Sequence, residues 1–150
     1  MFVVSLKMSR RQILTLIFCV AVLAALILAA VRPSAKATAA VPGGSEQKRV
    51  AFLRSLGYTV TPPHTAVREV RIPEDLDDAA LSYNDLQQTA GMDLTPYRGK
   101  RLKCWTYPVE NDPSGQPAEA HLYEYRDTIV AGDVAALEEG GFMRALTAVG

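Results

Sequence analysis

The sequence predicts an α+β fold, in which a transmembrane helix precedes one small two-layer domain built on a mostly antiparallel sheet of four to five strands. Three observations predict it. One long apolar run opens the chain, two later segments show the apolar spacing of helices, and the remaining runs alternate apolar and polar residues between turns that carry proline or glycine. The order is a helix, two strands, a helix and three strands.

The apolar run is a candidate membrane span. Residues 13–31 contain no charged side chain, and at ~1.5 Å per residue they extend about 28 Å, close to the ~30 Å hydrocarbon core of a bilayer. We therefore predict a cytoplasmic N-terminus over residues 1–11 and a transmembrane helix over residues 12–31. Cys19 would be a small apolar residue within that helix.

Flanking charges indicate the orientation of the span. Lys7, Arg10 and Arg11 precede it, whereas Arg32 and Lys36 follow it, which favours a cytoplasmic N-terminus and a domain on the other side of the cell membrane. The small residues of Ala35-Lys36-Ala37 resemble a cleavage site for signal peptidase. Secretion after cleavage is the alternative to a retained single-pass anchor.

Residues 32–44, rich in alanine, proline and glycine, are interpreted as a flexible linker before a domain over residues 45–150. Ser45 can cap a first helix over residues 46–56, which Gly57 ends. Residues 58–60 and 66–72 have the composition of strands, with Pro62-Pro63 between them.

An acidic segment opens the second helix. Residues 74–78 carry four acids, which favour a helix N-terminus and predict a helix from about Glu74 to Thr89. A turn over residues 95–99 leads into three extended runs that form an antiparallel meander, at about residues 100–109, 118–125 and 128–134. Phe142, Met143 and Leu146 then suggest a short C-terminal helix.

Composition and charge narrow the classes of partner. The segment before Val41 contains five basic residues and no acidic one. The rest of the chain has 11 basic and 16 acidic residues, so the predicted domain is mildly acidic. Nucleic-acid binders usually present a basic face, so no nucleic-acid partner is predicted. Cys104 is the one cysteine of the predicted domain, so we expect its stability to come from packing without an internal disulfide.

Seven segments resemble, in order, the bacterial family called domain of unknown function 4830. They are FLRSLGYTV (52–60), EVRIP (69–73), YNDLQ (83–87), GMDLTPYRGK (91–100), WTYPVEN (105–111), GDV (132–134) and GFM (141–143). The resemblance implies a short protein of Clostridia-type bacteria with an N-terminal membrane segment, and it transfers no catalytic or binding residue. Tyr58 stands where tryptophan is common, and Arg126-Asp127 replaces an Asp-Gly or Asn-Gly turn.

Few residues suggest catalysis. Cys104 and His121 could form a thiol and base pair, but a hairpin centred near Ser114 would pair Cys104 with Glu124 and leave His121 opposite about Tyr107. His64 lacks a second histidine at ligand spacing. The acids of residues 74–78 lack the glycine and terminal glutamate of a calcium loop. We predict no metal, no cofactor and no enzymatic activity.

An interaction surface is the remaining candidate site. Trp105 and Tyr107 share one side of a strand, and Tyr123 and Tyr125 share one side of the next, so the four are expected to form an aromatic ladder. If helices cover that side of the sheet the ladder is core, and otherwise it is an exposed surface beside basic residues. The predicted surface comprises Tyr97, Arg98, Lys100, Lys103, Trp105, Tyr107, Tyr123 and Tyr125, with Arg101 next to them.

Two functional hypotheses follow. The first is a membrane-anchored domain without enzymatic activity, which binds an envelope protein or a wall polymer outside the cytoplasm. The second is a small envelope hydrolase whose site is assembled from scattered residues, although the sequence has no nucleophile elbow or phosphate loop.

Overall fold

A computed structural model describes residues 40–149 of the chain. This part contains two α-helices, six β-strands and a 3₁₀ turn over Thr95–Tyr97. The helices are α1 (Glu46–Ser55) and α2 (Asp78–Thr89); the strands are β1 (Val41–Pro42), β2 (Ala66–Arg71), β3 (Arg101–Val109), β4 (Ala118–Tyr125), β5 (Thr128–Ala136) and β6 (Met143–Ala145). A small domain with an antiparallel sheet and two helices is therefore confirmed.

The strands form one sheet in the order β1-β5-β4-β3-β2, and β6 also pairs with β5. Every pair is antiparallel. The meander β3-β4-β5 is the predicted one, and β1 and β6 raise the strand number above the expected four to five. Both short strands lie on the free side of β5, β1 beside Thr128 and Ile129 and β6 beside residues 133–135.

The start of α1 follows from its capping residue. The Ser45 side chain accepts a hydrogen bond from the Lys48 backbone N–H at 3.4 Å, which satisfies one of the donors that a helix leaves unpaired at its first turn. After Leu56 the chain turns at Gly57, whose φ of +89° favours glycine. Val50 and Leu53, on one side of this helix, are buried.

The second helix begins later than predicted. Asp77, rather than an earlier acid, is the cap: its carboxylate accepts a hydrogen bond from the Ala80 backbone N–H at 2.8 Å. Glu74 and Asp75 therefore precede α2, and Glu74 forms an exposed ion pair with Arg71 instead. An aspartate that caps a helix must lie outside it, so the acidic run extends across the boundary.

The predicted two-layer arrangement is wrong, because α1 and α2 pack against opposite sides of the sheet. β3 shows why: its side chains alternate between the two sides of the sheet, and each side receives buried apolar residues. Tyr107 and Val109 lie in a cluster with Val50 and Leu53 of α1, whereas Leu102 lies in a second cluster with residues of the α2 side. A sheet that is apolar on both sides requires a cover on each.

The predicted C-terminal helix is also wrong. Residues 143–145 form strand β6, and Gly140, with a φ of +76°, reverses the chain after β5. The Ala136 N–H donates to the Phe142 carbonyl at 2.9 Å, and the Leu146 N–H donates to the Gly132 carbonyl at 3.2 Å. The unpaired edge of β5 supplies these partners, which an isolated three-residue helix could not replace.

The domain begins within the predicted linker. Val41 pairs with Ile129, and the Gly43 N–H donates to the Asp127 carbonyl at 2.7 Å. The remainder of the predicted linker, the predicted transmembrane helix over residues 12–31 and the segment 1–11 lie outside the described residues. Between residues 40 and 149, no helix has the length and apolar character needed to cross a bilayer.

The β4-β5 turn resolves the geometry of Arg126-Asp127. Their φ angles are 46° and 62°, so both central residues of this two-residue loop adopt the left-handed conformation that a type I′ hairpin turn requires. Arg126-Asp127 therefore adopts the same left-handed turn geometry as the Asp-Gly or Asn-Gly pair that it replaces.

Candidate functional site

The aromatic residues do not form the predicted ladder. Cys104 pairs with Tyr123 and Trp105 pairs with Leu122, which is one residue away from the predicted pairing of Cys104 with Glu124. A one-residue change of register moves every side chain of a strand to the other side of the sheet. Trp105 and Tyr107 therefore face α1, whereas Tyr123 and Tyr125 face α2.

On the α1 side the aromatics belong to the core. Tyr107 has no exposed surface and lies in the cluster that contains Leu53. Trp105 is half-buried: the guanidinium of Arg49 lies 3.6 Å from its ring centre, and the His64 ring meets it edge-on with 4.6 Å between centres. Of the two readings left open, core is correct for Tyr107.

We use the name Arg49 cluster for Glu46, Arg49, His64, Trp105, Tyr107 and Glu124. Arg49 Nε donates to the Tyr107 hydroxyl at 3.0 Å, and Nη1 donates to Glu124 Oε2 and to the Gly43 carbonyl, each at 3.0 Å. Its Nη2 donates to Glu46 Oε2 at 3.3 Å. Arg49 thereby connects α1 to β3, to β4 and to the entry of the domain.

Glu46 also binds the loop before β2. Its carboxylate accepts the His64 backbone N–H at 3.0 Å and lies 2.9 Å from His64 Nδ1. Burial works to raise the pKa of Glu46, but the hydrogen bonds from His64 and Arg49 outweigh it, and the pKa lies below its ordinary value. His64, considered above as a metal ligand, is thus the partner of a carboxylate.

The basic residues of the predicted surface are exposed but divided. Arg98, Lys100 and Lys103 are exposed, and Lys103 Nζ lies 6.0 Å from the Trp105 ring centre on the α1 side. Tyr97 packs edge-on against Tyr125 on the α2 side, with 5.5 Å between ring centres. The eight predicted residues are therefore spread over both sides of the sheet.

The α2 side carries an open groove, which we call the tyrosine groove. It has a volume of about 350 Å³ and runs between the C-terminal end of β2 and the first half of α2; it is lined by Val70, Arg71, Ile72, Pro73, Leu76, Ala80, Tyr83, Leu94, Tyr123 and Met143. Met143 is 54% exposed. An apolar concave surface with a few polar groups is the usual form of a binding site.

Behind the groove lies a buried polar network. Asp133, only 1% exposed, accepts the Tyr83 hydroxyl at 2.5 Å through Oδ2 and lies 2.8 Å from His121 Nδ1 through Oδ1. Burial, and then the charge of Asp133, raises the pKa of Tyr83 far above its ordinary range, and the same causes raise the pKa of Tyr123 to about 12. Both tyrosines are therefore neutral at physiological pH.

Cys104 is a buried cysteine of strand β3. It has no exposed surface, and burial raises the pKa of its thiol despite a hydrogen bond from Arg68. His121 is oriented by Asp133, and it lies opposite Thr106 in the ladder. The observed register places Cys104 and His121 on the same side of the sheet, two positions apart along the ladder, rather than three as predicted. The imidazole is bonded to Asp133 and the thiol to Arg68.

The acids before α2 do not form a cation site. Asp77 caps the helix and Glu74 pairs with Arg71. Over residues 40–149, no group of three or more histidine, cysteine, aspartate or glutamate side chains has the arrangement of a metal site.

Sequence reasoning missed the polar residues that organise both sides of the sheet, namely Arg49, Gln87 and Asp133. Gln87, without exposed surface, accepts the Gly132 N–H at 2.9 Å. Asp133 offered a signal, because a carboxylate within the apolar run of β5 must be hydrogen-bonded if it is buried. Arg49 and Gln87 are buried polar residues of the helices, and the spacing of apolar residues gives no signal for them.

Comparison with known proteins gives one family. A family model described as Domain of unknown function (DUF4830) matches residues 52–134. These residues span β2, α2, β3 and β4 and include every residue that lines the tyrosine groove except Met143. No curated protein and no solved structure matches the chain.

Proposed function

The chain belongs to the family described as Domain of unknown function (DUF4830), and we propose that it is a membrane-anchored domain outside the cytoplasm that binds a segment of an envelope protein in the tyrosine groove. The groove carries the proposal. Its apolar walls suit an apolar or aromatic side chain of a protein partner, because such a side chain buries its surface against them.

The location rests on the sequence. The uncharged residues 13–31 and the basic residues before them supply the proposed anchor and its orientation, with secretion after cleavage as the alternative. Lys48, Lys100 and Lys103 are exposed, so all three offer amines to a reagent that cannot cross the membrane.

A binding role without catalysis is supported by what the reactive groups do in the fold. The Cys104 thiol is buried and its pKa is raised, which opposes formation of the nucleophilic thiolate. Both oxygens of Asp133 are engaged, one by Tyr83 and one by His121.

The test fills the groove in the full-length chain. Ala80→Trp places a large ring in the groove that Ala80 lines, and Ala79→Trp places the same ring on an exposed position of the same helix. Intact cells are treated with a membrane-impermeant amine crosslinker, and the joined products are identified by mass spectrometry. We expect an envelope protein joined to the wild type and to the Ala79 variant, with the product lost in the Ala80 variant.

Other outcomes would contradict specific parts of the proposal. Equal products from both variants would exclude the groove, and a joined wall polymer in place of a protein would change the class of partner. Lysines that react only after cell lysis would reverse the proposed orientation.

An envelope hydrolase is the second candidate, and the His121–Asp133 pair favours it. A carboxylate that orients an imidazole at 2.8 Å is the usual arrangement of a general base. Hydrolysis of ester substrates or wall fragments by the full-length protein, abolished by His121→Ala, would support this candidate over simple binding.

A further inference from the structure

The outer edge of β2 is open. β2 pairs with β3 and is the last strand of the sheet on that side of the described domain. The Ile72 N–H donates to the Lys100 carbonyl, and the Ile72 carbonyl accepts from Gly99, both at 2.9 Å. Along an antiparallel ladder, the backbone N–H and C=O groups of successive residues point alternately towards the neighbouring strand and away from it. Those of Ile72 point towards β3, so those of Val67, Glu69 and Arg71 point towards the open edge.

The side chains of this edge carry opposite charges two residues apart. Glu69 and Arg71 are both exposed and project from the same side of the strand, with Val70 between them on the other side. Each has an intramolecular partner, Glu69 with Arg101 at 3.0 Å and Arg71 with Glu74 at 3.5 Å. All four side chains are more than half exposed, so these ion pairs are weak and exchangeable.

We propose that two copies of this chain associate through β2, antiparallel about a two-fold axis at Val70, so that their sheets join into one. In this register Glu69 of each copy lies opposite Arg71 of the other. Both residues point their backbone groups outward, so each such pair also exchanges main-chain hydrogen bonds. The two Val70 side chains meet at the axis, beside the two tyrosine grooves.

Charge selects this register over its neighbours. An axis at Glu69 would oppose two glutamates, and an axis at Arg68 or Arg71 would oppose two arginines, which is unfavourable for directly facing strand residues. Charged edge strands usually prevent pairing. Here the spacing of one acid and one base makes the edge complementary to a second copy of itself.

The first test is a charge exchange in the full-length chain, in detergent micelles, followed by sedimentation equilibrium. Glu69→Arg and Arg71→Glu should each raise the dimer dissociation constant at least about tenfold, because each turns two attractive pairs into repulsive ones. The double variant restores both attractive pairs and should recover the wild-type constant. Arg54→Glu, at an exposed position of α1, makes the same change in net charge as Arg71→Glu and is the control.

A second measurement traps the axis directly. In a Cys19→Ala background, Val70→Cys should give a disulfide-linked dimer on mild oxidation, because facing residues of such a pair lie about 4.5 Å apart at Cα. Val67→Cys, half exposed but away from the axis, should not.

Three results would overturn the inference. The first is a chain that stays monomeric at about 0.1 mM, well above the Kd of most specific interfaces. The second is association that both charge exchanges leave unchanged, as expected for pairing through the membrane segment, and the third is the absence of a disulfide in Val70→Cys. The inference is independent of the proposed ligand, since Ala80→Trp leaves the β2 edge intact.

Discussion

Arg49 Nη1 donates to Glu124 Oε2 at 3.0 Å, and the two side chains are only 5% and 6% exposed. A buried charge that loses its partner retains the cost of leaving water. Arg49→Met should therefore lower the free energy of unfolding by about 3–5 kcal/mol, measured by urea denaturation of the full-length chain in detergent. Arg54→Met, exposed on the same helix, should change it by less than about 1 kcal/mol.

A double variant separates charge from packing. Arg49→Met with Glu124→Leu removes both charges and should recover much of the lost stability, because apolar replacements of a buried ion pair are often neutral. If the double variant is as unstable as the sum of the two single variants, the Arg49–Glu124 pair is not the reason for the loss.

Acid should destabilise the domain through its paired carboxylates. Hydrogen bonds lower the pKa of Glu46 below its ordinary value of 4.5 despite burial. A carboxylate with a lowered pKa in the folded state contributes stability above its unfolded pKa, and that contribution is lost as the pH falls through the folded pKa. The free energy of unfolding should fall as the pH drops below 4.5, and Asp112 adds to this, since hydrogen bonds from Ser114 and Arg144 outweigh its burial and lower its pKa.

Glu46→Gln should flatten this acid dependence. Thermal unfolding is followed from about pH 3 to about pH 6, a range that brackets the ordinary carboxylate pKa of about 4. Glu139→Gln, which removes an exposed carboxylate, controls for the change in net charge. Equal pH dependence in wild type and Glu46→Gln would show that the His64 and Arg49 bonds to Glu46 do not favour its ionised form.

The β3-β4 register shows where sequence reasoning succeeded and where it stopped. Alternation located both strands to within a residue, because apolar side chains recur at a two-residue period in each. The predicted centre of the hairpin is Ser114, whereas the pairing of Val109 with Ala118 puts the centre between Pro113 and Ser114. The Gly115 N–H donates to the Asp112 carbonyl at 3.0 Å, so the turn is Asp-Pro-Ser-Gly, with Pro113 and Ser114 at its centre.

That turn was readable in principle. Aspartate at the first position, proline at the second and glycine at the fourth are the preferences of a type I turn. A turn centred between Pro113 and Ser114 shifts the register by one residue and places Trp105 and Tyr107 on the other side of the sheet from Tyr123 and Tyr125. The tyrosine groove could not be predicted from the sequence for a different reason. It is formed where α2, β2 and Met143 pack together, and no local sequence pattern indicates that these segments are close.

Tyr83 should contribute stability through its hydroxyl. Tyr83→Phe keeps the ring in the groove wall and removes the hydrogen bond to buried Asp133, which should cost about 1.5–3 kcal/mol. Tyr97→Phe is the matched control, because the Tyr97 hydroxyl has no hydrogen bond to another residue in the range 40–149, and we expect little change. Comparable losses in both variants, measured by urea denaturation, would mean that the bond to Asp133 contributes nothing specific.

Cys104 should be protected from thiol reagents in the folded protein. Its side chain is fully buried and its pKa is raised, so modification requires opening of the sheet. For an opening free energy of about 5 kcal/mol, labelling is slowed by more than about a thousandfold. With Cys19 replaced by alanine, maleimide labelling followed by mass spectrometry should show Cys104 reacting only in denaturant.

The control for that experiment is Val67→Cys, which places a thiol on a half-exposed position of β2. It should react at once under native conditions. Rapid labelling of Cys104 at the same rate would mean that the strands around it open freely.

The short strand β1 is the first part of the domain to carry a pulling force applied at its N-terminal end. Val41 and Pro42 are held by two ladder positions on β5, the Gly43 N–H is bound to the Asp127 carbonyl, and the Gly43 carbonyl is bound to Arg49. A force applied to the chain at Ala40 therefore loads these few bonds before it reaches any core strand. β1 would therefore detach first. The force would then act on Arg49, whose other hydrogen bonds hold α1 to the sheet.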